Sequence, residues 1–306
     1  MRKNSIMNPV FKGYLRLARP ANLPTAAADI FAGVAISGLF MGTPLNEFWN
    51  STNFVNVLLL ILSSVFLYAA GVVLNDVFDH KLDKLERPER PIPSGLISVK
   101  SAAIYGGVLM ILGVLSAFLV SSVSGIVAFV LGLSILLYDA LGKHHSFLGP
   151  LNMGVCRGIN LLLGISILSD FSNWGYFIFP LVYIAAITLI SRGEVHGNNK
   201  SHILFAGGLY TSVILGIIII FSISDLNLLE SIPFLLLFAF LVFKPLLRAY
   251  KENSPQNIKK AVMAGVICII VLDATLAVGF SYWWVGLITL LLLPLSFFLS
   301  KLFAVT

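Results

Sequence analysis

The sequence predicts an all-α fold: a polytopic membrane helical bundle of 9–10 transmembrane helices. Hydrophobic residues make up 58% of the 306 residues and charged residues only 11%. A soluble protein carries about 25% charged residues, so lipid has to contact most of this exterior. The apolar runs are roughly 20 residues long, which fits a spanning helix and is about twice the length of a spanning β-strand. Because lipid admits only helices or closed barrels, the run length selects helices.

Ten apolar windows divide the chain into candidate spans. They lie near residues 21–41, 54–75, 101–120, 122–141, 149–169, 174–191, 203–223, 231–248, 261–280 and 282–303. These helices and their short loops use up the length, so we expect a single membrane domain over residues 1–306. An N-terminal arm over residues 1–20 precedes the first span. We interpret this arm as an amphipathic lead-in, since it lacks the short apolar stretch and cleavage site of a removed signal.

The basic residues are distributed unevenly along the chain. With ten spans, all but one of the 20 Lys and Arg residues fall in the N-terminal arm, the C-terminal tail and the loops after even-numbered spans. By the positive-inside rule, both termini and these loops are cytoplasmic. The net charge of +6 therefore predicts a membrane face, and no nucleic-acid partner is expected.

Cysteine and histidine usage argues against two kinds of site. Cys156 and Cys268 both lie in apolar segments, so no disulfide framework is expected. The five histidines show no zinc-ligand spacing with these cysteines, so zinc is not expected either.

Oxygen-bearing side chains are concentrated at the end of the second span. Asn75, Asp79 and Asp83 are spaced i, i+4, i+8, so on a helix they share one face, and Asp76 lies beside them. Like charges at this spacing repel one another, and a divalent cation relieves the repulsion. Mg²⁺ takes carboxylate oxygens and keeps sites for water and substrate phosphates. These four residues are candidate metal ligands.

The residues after this acidic face suggest the anion that accompanies the metal. Arg87 and Arg90 follow it, and together they predict a clamp for a diphosphate. The alternative is an ordinary solvated helix end, in which Lys81, Lys84 and Arg87 balance the acids through i, i+4 pairs. Spacing alone leaves both interpretations open.

The same stretch resembles a known family. Asn75-x-x-x-Asp79-x-x-x-Asp83, followed by Arg-Pro-Glu-Arg-Pro-Ile-Pro-Ser-Gly over residues 87–95, resembles the signature loop of the UbiA family of intramembrane prenyltransferases. Leu-Ala-Arg-Pro-Ala-Asn over residues 17–22 resembles the entry to that family's first helix, which places Asn22 near the cavity. The resemblance implies Mg²⁺-dependent transfer of a polyprenyl group from its diphosphate to an aromatic or other small acceptor. It also implies catalytic roles for Asn75, Asp79 and Asp83.

Further site residues follow from the resemblance. Lys143 comes after Tyr138-Asp139, where the family has a Tyr followed by basic residues, so Lys143 is expected to face the diphosphate. The family's second motif, Asp-x-x-x-Asp, corresponds here to Glu194 and Asn198. That stretch is short of one carboxylate, so Glu194 is expected as a metal ligand with the remaining polar residues nearby. Neutralisation of the diphosphate then falls to the flanking basic residues Arg192 and Lys200.

Ionisable residues also occur inside the predicted spans. Arg157 is the one basic residue outside the predicted cytoplasmic face, and Asn160 lies at i+3 from it. A charge facing lipid costs about 3 kcal/mol on insertion scales, so Arg157 and Asn160 are expected to line a cavity. The alternative is a structural ion pair of Arg157 with Asp29 or Asp273, and the sequence does not decide between them.

Two functions are compatible with these observations. The first is an enzyme in which the metal and basic residues stabilise the leaving diphosphate while an apolar cavity excludes water from the carbocation. The second is a non-catalytic protein of the same fold, acting in transport or assembly for a secondary-metabolite pathway. The incomplete second motif and the tenth span favour the second. The phrase Arg-Gly-Glu-Val-His-Gly over residues 192–197 resembles the UbiA-like EboC subgroup.

Overall fold

The computed structural model describes residues 8–42, 47, 51–194 and 197–303, and over these ranges the chain is helical with no strand. The helices cover Pro9–Leu17 (α1), Leu23–Ile36 (α2), Leu39–Gly42 (α3), Thr52–Phe78 (α4), His80–Glu86 (α5), Val99–Phe118 (α6), Ser122–Ala140 (α7), Leu148–Ile165 (α8), Ile178–Ser191 (α9), Lys200–Ile223 (α10), Leu228–Lys251 (α11), Pro255–Gly279 (α12), Trp283–Leu290 (α13) and Leu292–Leu302 (α14). Short 3₁₀ turns occur at Pro20–Asn22, Gly142–His144, Ser166–Leu168 and Trp174–Phe177.

Nine helical segments in the described part of the chain are long and apolar enough to cross a bilayer. They coincide with nine of the ten predicted windows, which confirms the all-α polytopic fold at the lower end of the predicted range. The first window, residues 21–41, is divided. Its main helix, α2, has 14 residues. A helix of that length covers about 21 Å, less than the ~30 Å of hydrocarbon. Gly38, at a φ of +84°, then separates α2 from α3.

Helix α2 is the central element of the bundle. All but two of its residues are buried, and it packs against α4, α8 and α12. Small residues allow this close packing, as is common between membrane helices. The tightest approach is a crossing of α2 and α8 at Gly33 and Gly164. A Cβ on Gly33 would overlap the carbonyl oxygen of Leu161, and a Cβ on Gly164 would lie 2.9 Å from the Gly33 Cα.

We expect Gly33→Val to destabilise the protein, because its side chain would meet backbone atoms that cannot move aside. Overpacking of this kind costs about 1–3 kcal/mol or more. The measurement is the thermal unfolding midpoint of the detergent-purified chain. Gly208→Ala in α10 is the matched control, since nothing lies within 4 Å of its added Cβ. An unchanged midpoint for Gly33→Val would contradict the α2–α8 crossing.

Side-chain contacts join the loops into two groups, one at each end of the bundle. At one end, the Arg192 guanidinium donates to the His145 carbonyl at 2.8 Å, and the Asn199 backbone N–H donates to the Asn253 side chain at 2.9 Å. At the other end, Asn227 donates to the Ser281 carbonyl at 2.8 Å. The first end, which we call the charged end, holds the Lys- and Arg-rich loops. These contacts bring together the loops that follow α7, α9 and α11, and the predicted sidedness of the loops and termini stays a prediction.

The last helices pack into the same bundle. The hydroxyl of Ser296 on α14 donates to the carbonyl of Ala21, next to the start of α2. Val278 and Phe234 close against Gly286 on α13. The predicted extra span near 282–303 therefore packs against the start of the central helix α2.

Candidate substrate site at the charged end

The acidic motif spans a bend between α4 and α5. Asp79 ends α4, and its backbone N–H donates to the Asn75 carbonyl at 2.9 Å. The Asp83 and Arg87 N–H groups continue the same i to i−4 pattern at 2.9 and 2.8 Å. Because the backbone hydrogen bonds run on through the bend, the predicted face of Asn75, Asp79 and Asp83 is preserved.

Two arginines hold the acidic side chains that lie deepest. Arg90 Nη1 lies 2.8 Å from Asp83 Oδ2 and 3.1 Å from Asp76 Oδ1. Arg19 Nη2 lies 2.7 Å from the same Asp76 oxygen. The Asp76 and Asp83 side chains are only 7% and 4% exposed, so these pairs are largely shielded from water. Two cations and two carboxylates thus form one electrically balanced cluster.

Sequence reasoning missed Arg19 as a site residue. It lies in the same Leu-Ala-Arg-Pro segment that carries the family resemblance, and that position was the available signal. Its backbone adopts a left-handed conformation, with φ of +47° immediately before Pro20. A non-glycine residue there costs on the order of 1–3 kcal/mol, and such strain is concentrated at functional sites. The bend directs the Arg19 side chain to Asp76.

The third carboxylate of the motif pairs with a different loop. Lys143 Nζ lies 2.6 Å from Asp79 Oδ1, which places Lys143 beside the acidic motif, and its predicted contact with a diphosphate stays a prediction. Beside this pair, Asn75 Nδ2 donates to Asp139 Oδ1 at 2.8 Å. The other Asp139 oxygen is buried without a hydrogen-bond partner in the described structure. The ends of α4 and α7 therefore converge on one polar patch.

We expect Arg90→Met to lower the thermal midpoint, because it leaves Asp76 and Asp83 without their shared cation. Removing one partner of a buried ion pair costs about 3–5 kcal/mol, and partial exposure of Arg90 places the expected loss at or below the lower end. The exposed Lys84→Met in α5 is the control and should change the midpoint little. Equal midpoints for the two variants would contradict a stabilising role for the Arg90 bridge.

A cavity of about 230 Å³ extends from this polar patch into the bundle. It far exceeds the ~30 Å³ that one water molecule occupies, so it is not a packing defect. Its polar lining at the charged end comprises Arg19, Asn75, Tyr138 and Asp139. Its apolar walls are formed by Tyr68, Gly71, Val72, Leu131, Ile135, Met153, Cys156, Ile184, Ile187 and Val266. The cavity is thus polar at one end and mainly apolar along its length.

The second predicted motif lies near the first, on the loop after α9. Glu194 is partly buried, and burial raises the pKa of its carboxyl above the usual range, while nearby Arg87 and Lys259 oppose that rise. Arg87 therefore lies between the two predicted motifs. Arg192 is tied by its hydrogen bond to His145, next to the turn that carries Lys143. His196 lies outside the described residues.

Three other predicted site residues make no side-chain contact with this patch in the part of the chain that the structure describes. Asn198 is exposed and has a left-handed φ of +56°. Lys200 begins α10, and its ammonium lies 5.7 Å from the centre of the Tyr250 ring. Asn22 precedes α2, where its backbone carbonyl accepts a hydrogen bond from Thr25. Their proposed roles toward a diphosphate or cavity stay predictions.

Arg157 satisfies both interpretations left open by the sequence. Its Nε lies 2.7 Å from Asp29 Oδ2, and it also lines the cavity with Asn160. Asn160 Nδ2 donates to the same Asp29 oxygen at 2.6 Å and to the Ala26 carbonyl at 3.1 Å. Asp273 on α12 is fully buried and lies close enough to Asp29 for the two carboxyl groups to interact electrostatically. The central helix thus carries a buried polar network facing the cavity.

The donor set is compatible with magnesium, although it is not a closed cage. Among the described residues, no three His, Cys, Asp or Glu side chains are grouped closely enough to hold a metal by themselves. Mg²⁺ usually binds through one or two carboxylates and completes its shell with water and substrate phosphates. Asp79 and Asp83 are two carboxylates of the motif, and their predicted role as metal ligands together with Asn75 stays a prediction.

Together, the fold and the site define a multi-pass helical membrane protein with a charged patch opening onto a largely apolar cavity. The model of the UbiA prenyltransferase family matches residues 31–264, which is most of the chain, and the protein belongs to that family.

Proteins similar to this chain include archaeal enzymes. The digeranylgeranylglyceryl phosphate synthase of Methanosarcina mazei is 34% identical over 191 residues. That match covers 62% of this chain and 65% of the M. mazei protein, just under two thirds of its length.

Solved structures show the same fold. A solved structure of digeranylgeranylglyceryl phosphate synthase superposes with a TM-score of 0.65 at 21% identity. The superposition covers 89% of this chain and 99% of that one. A UbiA homologue from Archaeoglobus fulgidus, bound to GPP and Mg²⁺, gives 0.62 at 16% identity, covering 82% and 99%.

Proposed function

We propose that this protein is a Mg²⁺-dependent intramembrane prenyltransferase, which moves a prenyl group from its diphosphate to a small acceptor. The observation that carries the proposal is the cavity, which joins the acidic and basic patch to apolar walls. A prenyl diphosphate has the same division, with a highly charged head and a hydrocarbon tail. Family membership supports the same reaction class.

In this proposal the chain's own residues do three things. The basic side chains of Arg19, Arg90 and Lys143 already lie against the acidic motif, so they are placed to contact diphosphate oxygens. The apolar walls hold the prenyl chain and keep water from capturing the carbocation. Charge develops on the leaving diphosphate, and fixed cations stabilise that charge most where water is excluded.

Asn75, Asp79 and Asp83 would hold the metal, with Glu194 as a further candidate ligand from the neighbouring loop. The metal, when bound, supplies positive charge that neutralises the leaving group. Asp76 is already held by two arginines and is better placed to position them than to bind a metal itself. Arg87, Arg192 and the other predicted basic residues would add to the positive field.

We also propose that the charged end, including both termini, faces the cytoplasm. The support is the concentration of Lys and Arg at that end, since positively charged loops are retained on the cytoplasmic side. The charged diphosphate head of the substrate would then approach the site from the cytoplasmic side. Reporter fusions at the N-terminus and at the C-terminus of the chain test this orientation.

The acceptor is unidentified, and the relatives suggest one product to look for. Several similar proteins are digeranylgeranylglyceryl phosphate synthases, so an analogous lipid phosphate is the first product to test, followed by prenylated aromatics. The test uses purified chain in lipid nanodiscs with labelled geranyl or geranylgeranyl diphosphate. Mass spectrometry identifies the product formed with each acceptor.

Chelation of Mg²⁺ is expected to abolish transfer and to weaken diphosphate binding, because the diphosphate would then lose the positive charge that the metal supplies to its oxygens. A bound metal ion stabilises the leaving diphosphate in the transition state by several kcal/mol. Loss of that stabilisation corresponds to at least about a 100-fold lower rate. Added Mg²⁺ should restore activity, whereas K⁺ at equal ionic strength should not. Full transfer in the presence of excess chelator would contradict the metal-dependent mechanism.

A second candidate function is diphosphate binding without turnover, in transport or assembly. It is favoured by the second motif, which offers a single carboxylate, Glu194, with a raised pKa. Saturable binding of geranyl diphosphate with no product across the acceptor panel would support it. Measurable transfer would exclude it.

A further inference from the structure

The polar network between α2 and α8 includes a buried hydrogen-bond acceptor on a residue that lines the cavity. Asn160 lines the cavity and is 6% exposed, and both of its described hydrogen bonds are donated by Nδ2. These bonds go to a carbonyl and a carboxylate oxygen, so the amide cannot be reversed without placing oxygen against oxygen. Asn160 Oδ1 is consequently fixed in position and has no partner among the described residues. A buried acceptor left in this state favours a donor from a bound molecule.

Donors lie next to that acceptor. The neighbouring Arg157 also lines the cavity, and its charged group lies 6.0 Å from the centre of the Tyr68 ring. Arginine has five N–H donors, and within the described structure its partners are the Asp29 carboxylate and the Thr25 carbonyl. An acceptor and a set of donors side by side match a hydroxyl group, which both donates and accepts.

The charge of this region determines which ligands are allowed. Asp29 already balances the Arg157 guanidinium, and the buried Asp273 adds a second carboxyl that interacts electrostatically with Asp29. An anionic ligand group would add uncompensated negative charge at a site shielded from water, which is costly. A neutral hydroxyl adds none. The network therefore discriminates against carboxylate and phosphate groups.

The subsite is separate from the diphosphate patch. Arg157 lies nine residues after the start of α8 at the charged end, so it is about 14 Å deep along the helix, and Asn160 is about 18 Å deep. Both residues line the same cavity as Asn75 and Asp139. A molecule bound at this depth can extend from the hydroxyl subsite toward the reacting end of the prenyl diphosphate.

We infer that Arg157 and Asn160 form an acceptor subsite that binds an uncharged hydroxyl group remote from the reacting atom. The inference rests on the proposed function and deepens it: the part of the acceptor that reaches this subsite is an uncharged hydroxyl, and the group at its reacting end is not specified. Thr25 and Asp29 hold the subsite in place and do not contact the ligand themselves.

The test compares two probes that differ only in the remote group. The full chain in nanodiscs is titrated with benzyl alcohol and with benzoate, which share one ring and carry a single polar group each, and binding is followed calorimetrically. The alcohol is expected to bind at least about tenfold more tightly, the size of one or two hydrogen bonds plus the avoided charge. Equal binding, tighter binding of the carboxylate, or no binding of either probe would overturn the inference.

Two variants link the selectivity to the residues. Asn160→Leu is expected to lower affinity for the alcohol by about tenfold, as expected for the loss of a buried hydrogen bond. Thr211→Val in α10 removes a hydroxyl that is bonded to the Gly207 carbonyl and lies outside the cavity lining, so it should leave binding unchanged. Equal effects of the two variants would contradict the assignment.

Geranyl diphosphate binding with Mg²⁺ is measured in parallel on each variant. Normal diphosphate binding by Asn160→Leu shows that the chain is folded and that the charged end is intact. If the wild type binds the alcohol but not the diphosphate, the proposed function fails while the subsite stands. If the wild type binds the diphosphate but does not prefer the alcohol, the inferred subsite fails while the proposed function stands. The comparison of probes on the wild type remains decisive if Asn160→Leu does not fold.

Discussion

Replacing Asp79 by Ala is expected to reduce prenyl transfer by at least about 100-fold, because it removes a carboxylate from the centre of the acidic face and from Lys143. Asp79 lies at the bend between α4 and α5, with 22% of its side chain exposed, and it is the acidic residue of the motif most open to a ligand. Its loss should weaken metal binding and also leave Lys143 without its carboxylate partner. Both effects reduce the stabilisation of the leaving diphosphate.

The assay is product formation in nanodiscs at saturating Mg²⁺, with the thermal midpoint recorded for each variant. Asp79→Asn keeps the size of the side chain and removes its charge, so it separates the electrostatic contribution from packing. Glu230→Gln, in the first turn of α11 and fully outside the site, is the matched carboxylate control. Full transfer by Asp79→Ala would exclude the proposed mechanism.

The acidic face could be predicted from sequence because its geometry is local. Spacing of i, i+4, i+8 places side chains on one helical face regardless of what the helix packs against, and the backbone hydrogen bonds preserve this spacing through the bend at Asp79. The spans could be predicted for a similar reason, since each depends on a contiguous apolar run. The break at Gly38 was missed because the apolar run continues across it.

The partners of the acidic residues were not predictable in the same way. Arg19 and Asp76 are 57 positions apart, and Asn75 and Asp139 are 64 apart. Such pairs depend on which helices become neighbours, and no local pattern encodes that. The sequence assigned Arg157 either to a cavity or to an ion pair, and packing gives it both, because α2 and α8 cross closely enough at their glycines. Long-range packing therefore decides the details of the site.

Replacing Arg157 by Met is expected to destabilise the protein by about 3–5 kcal/mol, the cost of leaving one partner of a buried ion pair. The Asp29 carboxylate is fully buried and would lose its cation, while the Asn160 bond alone remains. Asp273, also fully buried, adds a second carboxyl beside it. The variant would therefore leave two buried carboxyl groups in a low-dielectric interior without the guanidinium that balances them.

A double variant tests that cause directly. Asp29→Asn combined with Arg157→Met removes both charges, so the pair should recover much of the lost stability, as expected when a buried ion pair is replaced by neutral groups. The measurement is the thermal midpoint of each variant in the same detergent, with the single Asp29→Asn completing the cycle. Additive losses across the cycle would mean that the two residues act independently. A recovery would show that the protein needs the charge of Arg157 mainly because the Asp29 carboxylate lies beside it. The ion pair, which carries no net charge, would then determine the polarity of the inner cavity together with Asn160.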